Sequence, residues 1–220
     1  MISKKMKNEV YMIDLYTWPT PNGRKISILL EELDLDYKVH SVDISNREQF
    51  DVSFLKISPN NKIPVIRDQQ TGICLMESGA IMLYLADQYG KFLPVDTKQR
   101  NLVIEWLMWQ MAGFGPMLGQ AHHFLHYNKG KETYAEERYR VEAHRLYGVL
   151  EKQLSCYKYV AGDYSIADMA IWPWVSRYEW QEINLEEFPN VQSWYKVILE
   201  REPVQRGYHV PKWISEIPTG

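Results

Sequence analysis

Two loops that lead into predicted helices carry polar side chains suited to binding a small ligand. In the first loop, Thr20 offers a hydroxyl and Asn22 an amide, and both groups can donate hydrogen bonds at a helix start. In the second, Glu77 and Ser78 open a helix. The first N–H groups of a helix are unpaired and carry a partial positive charge. This second helix start therefore suits a carboxylate ligand.

A proline step stands between these two loops. Ile63 comes directly before Pro64, at the start of the β-branched stretch Val65-Ile66. A proline can occupy the first position of a strand, where its missing N–H costs no ladder bond. The residue before it can offer its backbone N–H and C=O to an extended peptide. A cis Ile63–Pro64 bond would hold those groups open, although only about 5–6% of such bonds are cis.

Strand and helix patterns alternate through the first 90 residues. Strands are predicted at 11–16, 36–43, 63–66 and 73–76, and helices at about 22–34, at 47–57 and from 77 onward. This alternation predicts a mixed sheet with helices on both faces. The order β-α-β-α-β-β-α is that of a thioredoxin-like domain.

The strand pattern disappears after a linker at 91–96. Helices are predicted at about 97–127, 132–155 and 190–201. Gly113 to Pro116 predicts a kink in the first of them. Ser165 and Asp168 have the spacing of a capping box that nucleates a buried helix. We expect the chain from Pro203 to be loosely ordered.

Composition excludes several classes of function. The chain has 220 residues, 45% of them hydrophobic and 24% charged, which is typical of a globular protein. A net charge of −3 gives no basic field for nucleic acid. No apolar run approaches about 18 residues, so no membrane partner is expected. The basic start of the chain lacks an apolar segment, so residues 1–10 are interpreted as a disordered tail and not as a secretory signal.

The two cysteines offer no redox motif. Cys74 and Cys156 are far apart and are expected to be buried free thiols, which fits a reducing cytoplasm. Redox members of the thioredoxin-like fold carry Cys-Pro-x-Cys after the first strand. Here that place reads Thr-Pro-Asn-Gly, at 20–23. The chain therefore cannot run a glutaredoxin-type cycle on its own cysteines in that loop.

The strand-opening Ile-Pro, the hairpin and the Glu-Ser helix start together resemble the glutathione site of the glutathione transferase superfamily. Three strings, at 20–23, 58–64 and 115–120, resemble one branch in particular. That branch contains the bacterial nu-class transferases, similar disulfide-bond reductases and a fungal nitrogen-regulator prion protein. The resemblance covers roughly residues 11–205.

The resemblance implies a two-domain fold of α/β plus all-α type. A thioredoxin-like glutathione-binding domain would occupy 11–90 and an all-helical domain 97–205, followed by a C-terminal tail at 206–220. It also implies a symmetric homodimer. Glutathione would be a co-substrate, and no metal is implied.

The resemblance assigns roles to the matching residues. Thr20 and Asn22 would contact the sulphur of glutathione, and Ile63, before a cis Pro64, would pair with its cysteinyl backbone. The other glutathione-binding residues it implies are Gln49, Lys62, Glu77 and Ser78, the last two at the γ-glutamyl end. An arginine of the facing subunit is also expected near the ligand, with Arg138 as the candidate and Arg145 as its rival.

Other residues of the first domain stay open as alternatives. Tyr16 stands where tyrosine-type transferases keep their thiol-activating hydroxyl, but it can equally cap the sheet edge. Thr17 is a weaker candidate for the same role. Arg24 and Lys25 are interpreted as solvated charges or cross-domain ion pairs.

The histidines and tryptophans of the second domain are also ambiguous. His122 and His126 have the i, i+4 spacing of a zinc pair, but no acid or cysteine stands near as a third ligand. Their helix either presents His123, Phe124 or Tyr127 to the cleft between domains or packs them in the core. The tryptophans assigned to the core are Trp106, Trp109, Trp172 and Trp174.

The leading hypothesis for function is a glutathione-dependent disulfide-bond reductase, an enzyme that acts on small or mixed disulfides through the bound glutathione thiol. A second hypothesis is a transferase that conjugates glutathione to electrophiles. A third is a glutathione-binding regulator without catalysis.

Overall fold

The computed structural model describes residues 12–220, so the predicted tail at 1–10 and the first residue of the first predicted strand lie outside it. Its sheet has four strands in the order β2-β1-β3-β4. β1 pairs parallel with β2 and antiparallel with β3, and β3 pairs antiparallel with β4. The strands are β1 (Ile13–Thr17), β2 (Tyr37–Ser41), β3 (Val65–Asp68) and β4 (Cys74–Met76).

The helices continue through the second half of the chain, as predicted. They are α1 (Pro21–Glu32), α2 (Val52–Leu55), α3 (Ser78–Tyr89), α4 (Thr97–Trp109), α5 (Gly115–Ala121), α6 (Thr133–Leu154), α7 (Ile166–Val175), α8 (Pro189–Leu199) and α9 (Glu202–Tyr208). None of those within residues 12–220 is long and apolar enough to cross a bilayer.

The two faces of the sheet are covered differently. Leu15 and Ile66 are fully buried and join α1 and α3 in the main core, which continues into the helical part. Val65 points to the opposite face, where it packs with Phe54 of α2 in a small separate cluster. The four tryptophans assigned to the core, Trp106, Trp109, Trp172 and Trp174, all lie in or against the main core. The predicted class, a thioredoxin-like domain followed by an all-helical one, is confirmed.

The helix predicted at 47–57 is wrong for most of its length. The chain instead makes two 3-10 turns, Ile44–Asn46 and Glu48–Phe50, before the single turn of α2. The Asp43 carboxylate accepts hydrogen bonds from the backbone N–H groups of the first turn. Arg47 then adopts φ 64°, which ends that turn and prevents a continuous helix.

The predicted kink takes the form of widened helical turns. A π-helical segment, Gln110–Phe114, joins α4 to α5, and a second one, His122–Tyr127, follows α5. Pro116 has no N–H to donate and its ring would crowd the preceding turn. The wide turn directly before it accommodates this proline without ending the helical run.

The predicted capping box is confirmed at the start of α7. Ser165 Oγ accepts from the N–H of Ala167 at 3.2 Å, and the Asp168 carboxylate accepts from the N–H of Ser165 at 3.0 Å. The same carboxylate accepts from the N–H of Val160 and from the indole of Trp194. Asp168 thus ties three segments together at the buried end of α7.

The expectation of a loose chain after Pro203 is wrong. The proline sits in the first turn of α9, a position that helices tolerate. α9 packs on α1, where Ser27 Oγ donates to the carbonyl of Gly207 at 2.6 Å. A Cβ at Gly207 would lie 2.6 Å from the backbone of Ile28, so this contact requires glycine. Farther along, the Tyr195 hydroxyl donates to the carbonyl of Pro218.

The expectation that both cysteines are buried is also wrong. Cys74 and Cys156 are exposed free thiols. Cys74 lies on the edge strand β4, beside Arg67 on a sheet face that the short α2 covers only in part. Cys156 follows the C-terminal end of α6.

Candidate functional site

The register of the sheet brings three separate loops to one edge. Val65 of β3 lies between Tyr16 of β1 and Met76 of β4. The loop after β1, the step at 63–64 and the turn at 77–78 therefore meet at the same end of the sheet. The predicted site residues from these loops are neighbours because of strand pairing, although they are distant in the chain.

Thr20 caps the N-terminus of α1. Its Oγ1 accepts from the N–H of Gly23 at 3.1 Å, so its own hydroxyl hydrogen remains available to a ligand. Gly23 permits a tight approach of helix and loop, because a Cβ there would lie 2.2 Å from the carbonyl oxygen of Trp18. The cap and the close approach at Gly23 together hold the Thr20 hydroxyl at the start of α1.

The side chain of Asn22 is oriented by the second domain. Trp174 of α7 donates its indole N–H to Asn22 Oδ1 at 3.3 Å. An indole N–H is a donor only, so it must face the amide oxygen, which leaves the amide NH₂ for a ligand. Sequence reasoning assigned Trp174 to the core alone, and its 7% exposure fits that assignment. Its second role carries no local sequence signal, because it depends on how the domains pack.

The Ile63–Pro64 bond is cis, as the resemblance implies. The backbone N–H and C=O of Ile63 make no hydrogen bond to any residue between 12 and 220. Ser58 Oγ holds the preceding loop by donating to the carbonyl of Lys62 at 2.8 Å. The Lys62 side chain is exposed. Both backbone groups of Ile63 are therefore open to an extended peptide.

Glu77 and Ser78 form a strained helix start. Glu77 has φ 71° and ψ 112°, a conformation that is unusual for a residue with a side chain and costs about 1–3 kcal/mol. Such strain is concentrated at ligand sites. Ser78 begins α3 and is 4% exposed, and its Oγ accepts from the Lys25 ammonium group at 3.3 Å.

Lys25 is fully buried, which contradicts its interpretation as a solvated charge or an ion pair. Its Nζ also donates to Gln110 Oε1 at 2.5 Å and lies 3.4 Å from Met111 Sδ. Burial lowers the pKa of Lys25 to about 7, and the charge of Glu77 opposes that shift. Lys25 lies three residues after Asn22, on the same face of α1. That spacing is the signal that could have placed this amine behind the site.

Arg24 is likewise buried and not solvated. Its Nε donates to the carbonyl of Tyr208 at 3.0 Å, and its guanidinium stacks on the ring of that tyrosine at 3.5 Å. Burial lowers the pKa of Arg24 to about 10. This arginine fastens α9 to α1 and does not reach the ligand edge of the sheet.

Gln49 offers an unused acceptor. It lies in the 3-10 turn Glu48–Phe50, and its Oε1 is buried without a hydrogen-bond partner in the described chain. Buried polar atoms are normally paired. An amide N–H of a bound peptide would satisfy this oxygen.

Tyr16 points away from the loop that carries Thr20, and Thr17 is buried beneath that loop. The Tyr16 ring stacks on His40 with 4.5 Å between ring centres, on the sheet face that α2 covers. Thr17 is fully buried and its Oγ1 contacts the carbonyl of Trp18. Of the four residues considered for contact with the sulphur, the structure therefore favours Thr20 and Asn22.

A cleft of about 900 Å³ lies between the start of α1 and the helical part. Thr20 and Trp18 line it on one side, and Tyr127 and Trp180 on the other. The chain after α9 closes one end with Ile214. This segment, predicted from the sequence to be a loosely ordered tail, therefore forms part of the cleft wall.

The second domain presents one of the three residues considered for the cleft, together with residues that were not considered. Of the three residues considered for the cleft, Tyr127 lines it, while Phe124 stacks on Tyr139 at 5.4 Å. His123 lies beside Asn128. His122 also lines the cleft, and burial lowers its pKa to about 3.

The histidine pair of this helix is engaged in stacking. His122 stacks on Trp174 at 5.5 Å, and His126 stacks on Trp180 at 4.2 Å. Within residues 12–220, no group of three or more possible ligands is placed to hold a metal ion.

Arg138 lies on α6, in a surface groove of about 640 Å³ that also contains Tyr134 and Val141. It does not line the cleft that contains Thr20. Its rival Arg145 pairs with Glu142 at 2.7 Å. The contribution of either arginine to the site of a facing subunit stays a prediction.

Comparisons with known proteins agree with this architecture. Residues 12–87 match the family model of the glutathione S-transferase N-terminal domain, and residues 108–202 match that of the C-terminal domain. The disulfide-bond oxidoreductase YfcG of Escherichia coli is 50% identical over 196 residues, which cover 86% of this chain and 91% of YfcG.

Two solved structures are also similar. A glutathione transferase from Pseudomonas putida, with one glutathione disulfide bound per subunit, superimposes with a TM-score of 0.87 and 41% identity over 94% of both chains. One from Burkholderia graminis, with two glutathione molecules bound per subunit, gives a TM-score of 0.88 and 39% identity, covering 94% of this chain and 91% of the other.

Proposed function

This chain belongs to the glutathione transferase family, and on that premise we propose that it is a glutathione-dependent disulfide-bond reductase. One observation carries the proposal. The loop after β1 holds no thiol, and Trp174 donates to the Asn22 amide oxygen, which leaves the amide NH₂ as a donor in addition to the Thr20 hydroxyl. Such a loop can stabilise the thiolate of a ligand but cannot supply a thiol itself.

Bound glutathione would lie along the shared edge of the sheet. Its cysteinyl backbone would pair with the open N–H and C=O of Ile63, beside the cis Pro64. Its γ-glutamyl carboxylate would meet Ser78 and the first turn of α3, with Glu77 taking the amino group. Gln49 and Lys62 would contact the remainder of the peptide.

The donors at the start of α1 would supply enough energy to activate the thiol. A hydrogen bond to a charged group contributes about 1.5–3 kcal/mol, which raises the ratio of thiolate to thiol roughly 10- to 100-fold. A free thiol with a pKa near 8.5 is only a few per cent ionised at neutral pH. One good donor thus brings the pKa close to ambient pH, where thiol–disulfide exchange is fastest.

The reaction is a sequence of two exchanges. The bound glutathione thiolate attacks one sulphur of a disulfide, the substrate S–S bond breaks, and a glutathione mixed disulfide forms. The leaving thiolate takes a proton from solvent. The thiolate of a second glutathione attacks the mixed disulfide, releasing the remaining substrate thiol and glutathione disulfide. Two glutathione molecules are oxidised for each disulfide reduced.

Two rates measured side by side test this proposal. Reduction of bis(2-hydroxyethyl) disulfide by glutathione is compared with conjugation of glutathione to a chlorinated dinitrobenzene, each corrected for the uncatalysed reaction. We expect disulfide reduction to exceed conjugation by a wide margin. Faster conjugation would make the protein a transferase of the conjugating type.

Conjugation is the second candidate because the cleft has apolar walls. Trp18, Trp180 and Ile214 line it and could hold an aromatic electrophile. A non-catalytic glutathione-binding regulator is the third. Tight glutathione binding with no turnover of either substrate would support that reading.

Assignment to the nu class, a cytoplasmic location and a symmetric homodimer belong to the same proposal. The site strings at 20–23, 58–64 and 115–120 support the branch. A chain with two free cysteines and no disulfide between described residues fits a reducing compartment. The groove around Arg138, with Tyr134 and Val141 exposed, supports a second copy of the chain as partner.

A further inference from the structure

The cleft next to Thr20 contains a buried arginine that the proposed chemistry does not use. Arg177 follows the C-terminal end of α7 and lines the cleft. It is only 9% exposed, and its guanidinium lies over the Trp180 ring at 4.3 Å. Its Nε is buried and has no hydrogen-bond partner in the described structure.

A buried guanidinium without an anion is costly. Removing a charge from water is unfavourable unless a partner compensates it. Two other arginines of the second domain and α1 have partners. Arg140 pairs with Glu182, and Arg24 donates from Nε to the carbonyl of Tyr208, although its Nη1 is also buried without a partner in the described structure. Arg177 has neither kind of partner among residues 12–220. A planar guanidinium in that state fits a carboxylate, which it can bind through two parallel hydrogen bonds.

The remaining charges of the cleft define what else the ligand can carry. Among its described lining residues, Arg177 is the one permanent cation, because burial lowers the pKa of His122 to about 3. Glu179 and Glu216 line the same cleft. A free carboxylate would be repelled by these two acids unless it reaches Arg177, and an accompanying ammonium group would be attracted to them.

We propose that Arg177 is the anchor for a carboxylate of the disulfide substrate, so that the enzyme prefers disulfides whose thiol halves carry a carboxylate, such as those of cysteine and its peptides. This rests on the proposed reductase function. In this arrangement, glutathione lies at the sheet edge with its sulphur at Thr20 and Asn22. The substrate lies in the cleft, with its carboxylate at Arg177 and one sulphur facing the glutathione thiolate.

Three disulfides of similar size and different charge test the anchor. The probes are bis(2-carboxyethyl) disulfide, bis(2-hydroxyethyl) disulfide and cystamine, and each kcat/KM is divided by the uncatalysed rate constant. We expect the wild type to prefer the acid over the alcohol. In Arg177→Gln we expect the acid-to-alcohol ratio to fall about 10- to 100-fold, the value of one charge-assisted pair, with the KM for glutathione unchanged.

Controls separate the anchor from general effects of charge. Arg177→Lys should retain part of the acid preference. Arg100→Gln removes the same charge from a partly exposed arginine of α4 that pairs with Asp87, and should leave the ratio unchanged. An Arg177→Gln enzyme that loses activity equally on all three probes, or keeps the wild-type ratio, would overturn the anchor.

If Arg177→Gln does not fold, the corrected rates of the wild type on the three probes still test the anchor. Equal corrected rates for acid and alcohol would overturn the anchor while leaving the reductase proposal intact. No turnover of any of the three probes would overturn both. A clear preference for the acid that weakens with added salt would support the anchor.

Discussion

The indole N–H of Trp174 donates to the side-chain oxygen of Asn22 across 3.3 Å, and this bond joins the helical domain to the reactive loop of the thioredoxin-like domain. The loop alone would leave the amide free to rotate. With its oxygen occupied, the amide presents its NH₂ group to the place where the ligand sulphur is proposed to lie. The second domain thus determines which end of the Asn22 amide, its oxygen or its NH₂ group, is left for the ligand.

Trp174→Phe should impair exchange more than it impairs glutathione binding. The phenyl ring keeps most of the packing but loses the donor, which is worth about 0.5–1.5 kcal/mol. We expect kcat/KM for disulfide reduction to fall about 2- to 10-fold, with a smaller change in the KM for glutathione. Steady-state kinetics with varied glutathione measures both.

Trp172→Phe is the matched control. Trp172 donates its indole N–H to the carbonyl of Tyr195 at 3.1 Å and does not touch Asn22. The Trp172→Phe substitution should lower the stability of the protein without changing kcat/KM per folded molecule. If both variants lose the same fraction of activity, the orienting role of Trp174 is wrong.

Burial of Lys25 should appear in the pH dependence of stability. Its pKa falls from 10.5 to about 7 in the folded protein. Between those values the unfolded chain binds more protons than the folded one, so the free energy of unfolding rises with pH, by at most about 1.4 kcal/mol per pH unit. This gain in the free energy of unfolding is absent below pH 7 and complete above pH 10.5.

Lys25→Met removes this titration while keeping an unbranched side chain. Its free energy of unfolding is measured by urea denaturation from pH 6 to 10. We expect this free energy to exceed that of the wild type at low pH, and the difference to shrink as pH rises. Lys152→Met changes an exposed lysine of α6 and should show no such pattern. A pH-independent difference between wild type and Lys25→Met would contradict the buried ammonium.

Asp168→Asn should destabilise the fold without changing the chemistry. The carboxylate accepts from two backbone N–H groups, at Val160 and Ser165, and from the Trp194 indole. An amide cannot satisfy all three donors, so we expect a loss on the order of 2–4 kcal/mol. Urea denaturation measures it. A loss below about 1 kcal/mol, or a lower kcat/KM in the folded fraction, would contradict a purely structural role.

Deleting residues 210–220 should affect the cleft and spare the glutathione site. This segment places Ile214 and Glu216 in the cleft wall, and the ammonium group of Lys212 lies over the Trp18 ring at 3.9 Å. We expect a higher KM for the disulfide and an unchanged dissociation constant for glutathione, measured by calorimetry. Equal losses of both affinities would show that the segment supports the whole domain.

The sequence predicted those features that depend on local pattern. Alternating strand and helix periods gave the thioredoxin-like order, and the spacing of Ser165 and Asp168 gave the cap of α7. Its errors lie where tertiary contacts decide. Pro203 resembles a helix breaker, yet its helix is held by α1, and Cys74 reads as a buried strand residue although its strand is an edge.

The residues of the candidate site also fall into those with a local sequence signal and those that depend on tertiary contacts. The step at Ile63–Pro64 and the Glu77–Ser78 helix start carry recognisable local strings. Trp174 and Arg177 do not, because their roles follow from burial at the junction of two domains. The spacing from Asn22 indicates which face of α1 Lys25 occupies, but not that it is buried. Charged residues on a helix are usually solvated, and nothing in the string around 24–25 shows that α9 and the π-helical segment will cover them.

The ionisation of bound glutathione tests the central claim most directly. The ultraviolet absorbance of the thiolate is titrated against pH in the glutathione complex of the wild type and of Asn22→Ala. Donors at Thr20 and Asn22 predict a thiol pKa well below the free value near 8.5 in the wild type. They also predict an upward shift in the Asn22→Ala complex. A bound thiol that ionises like free glutathione, or one whose pKa is the same with and without the Asn22 amide, would contradict the account.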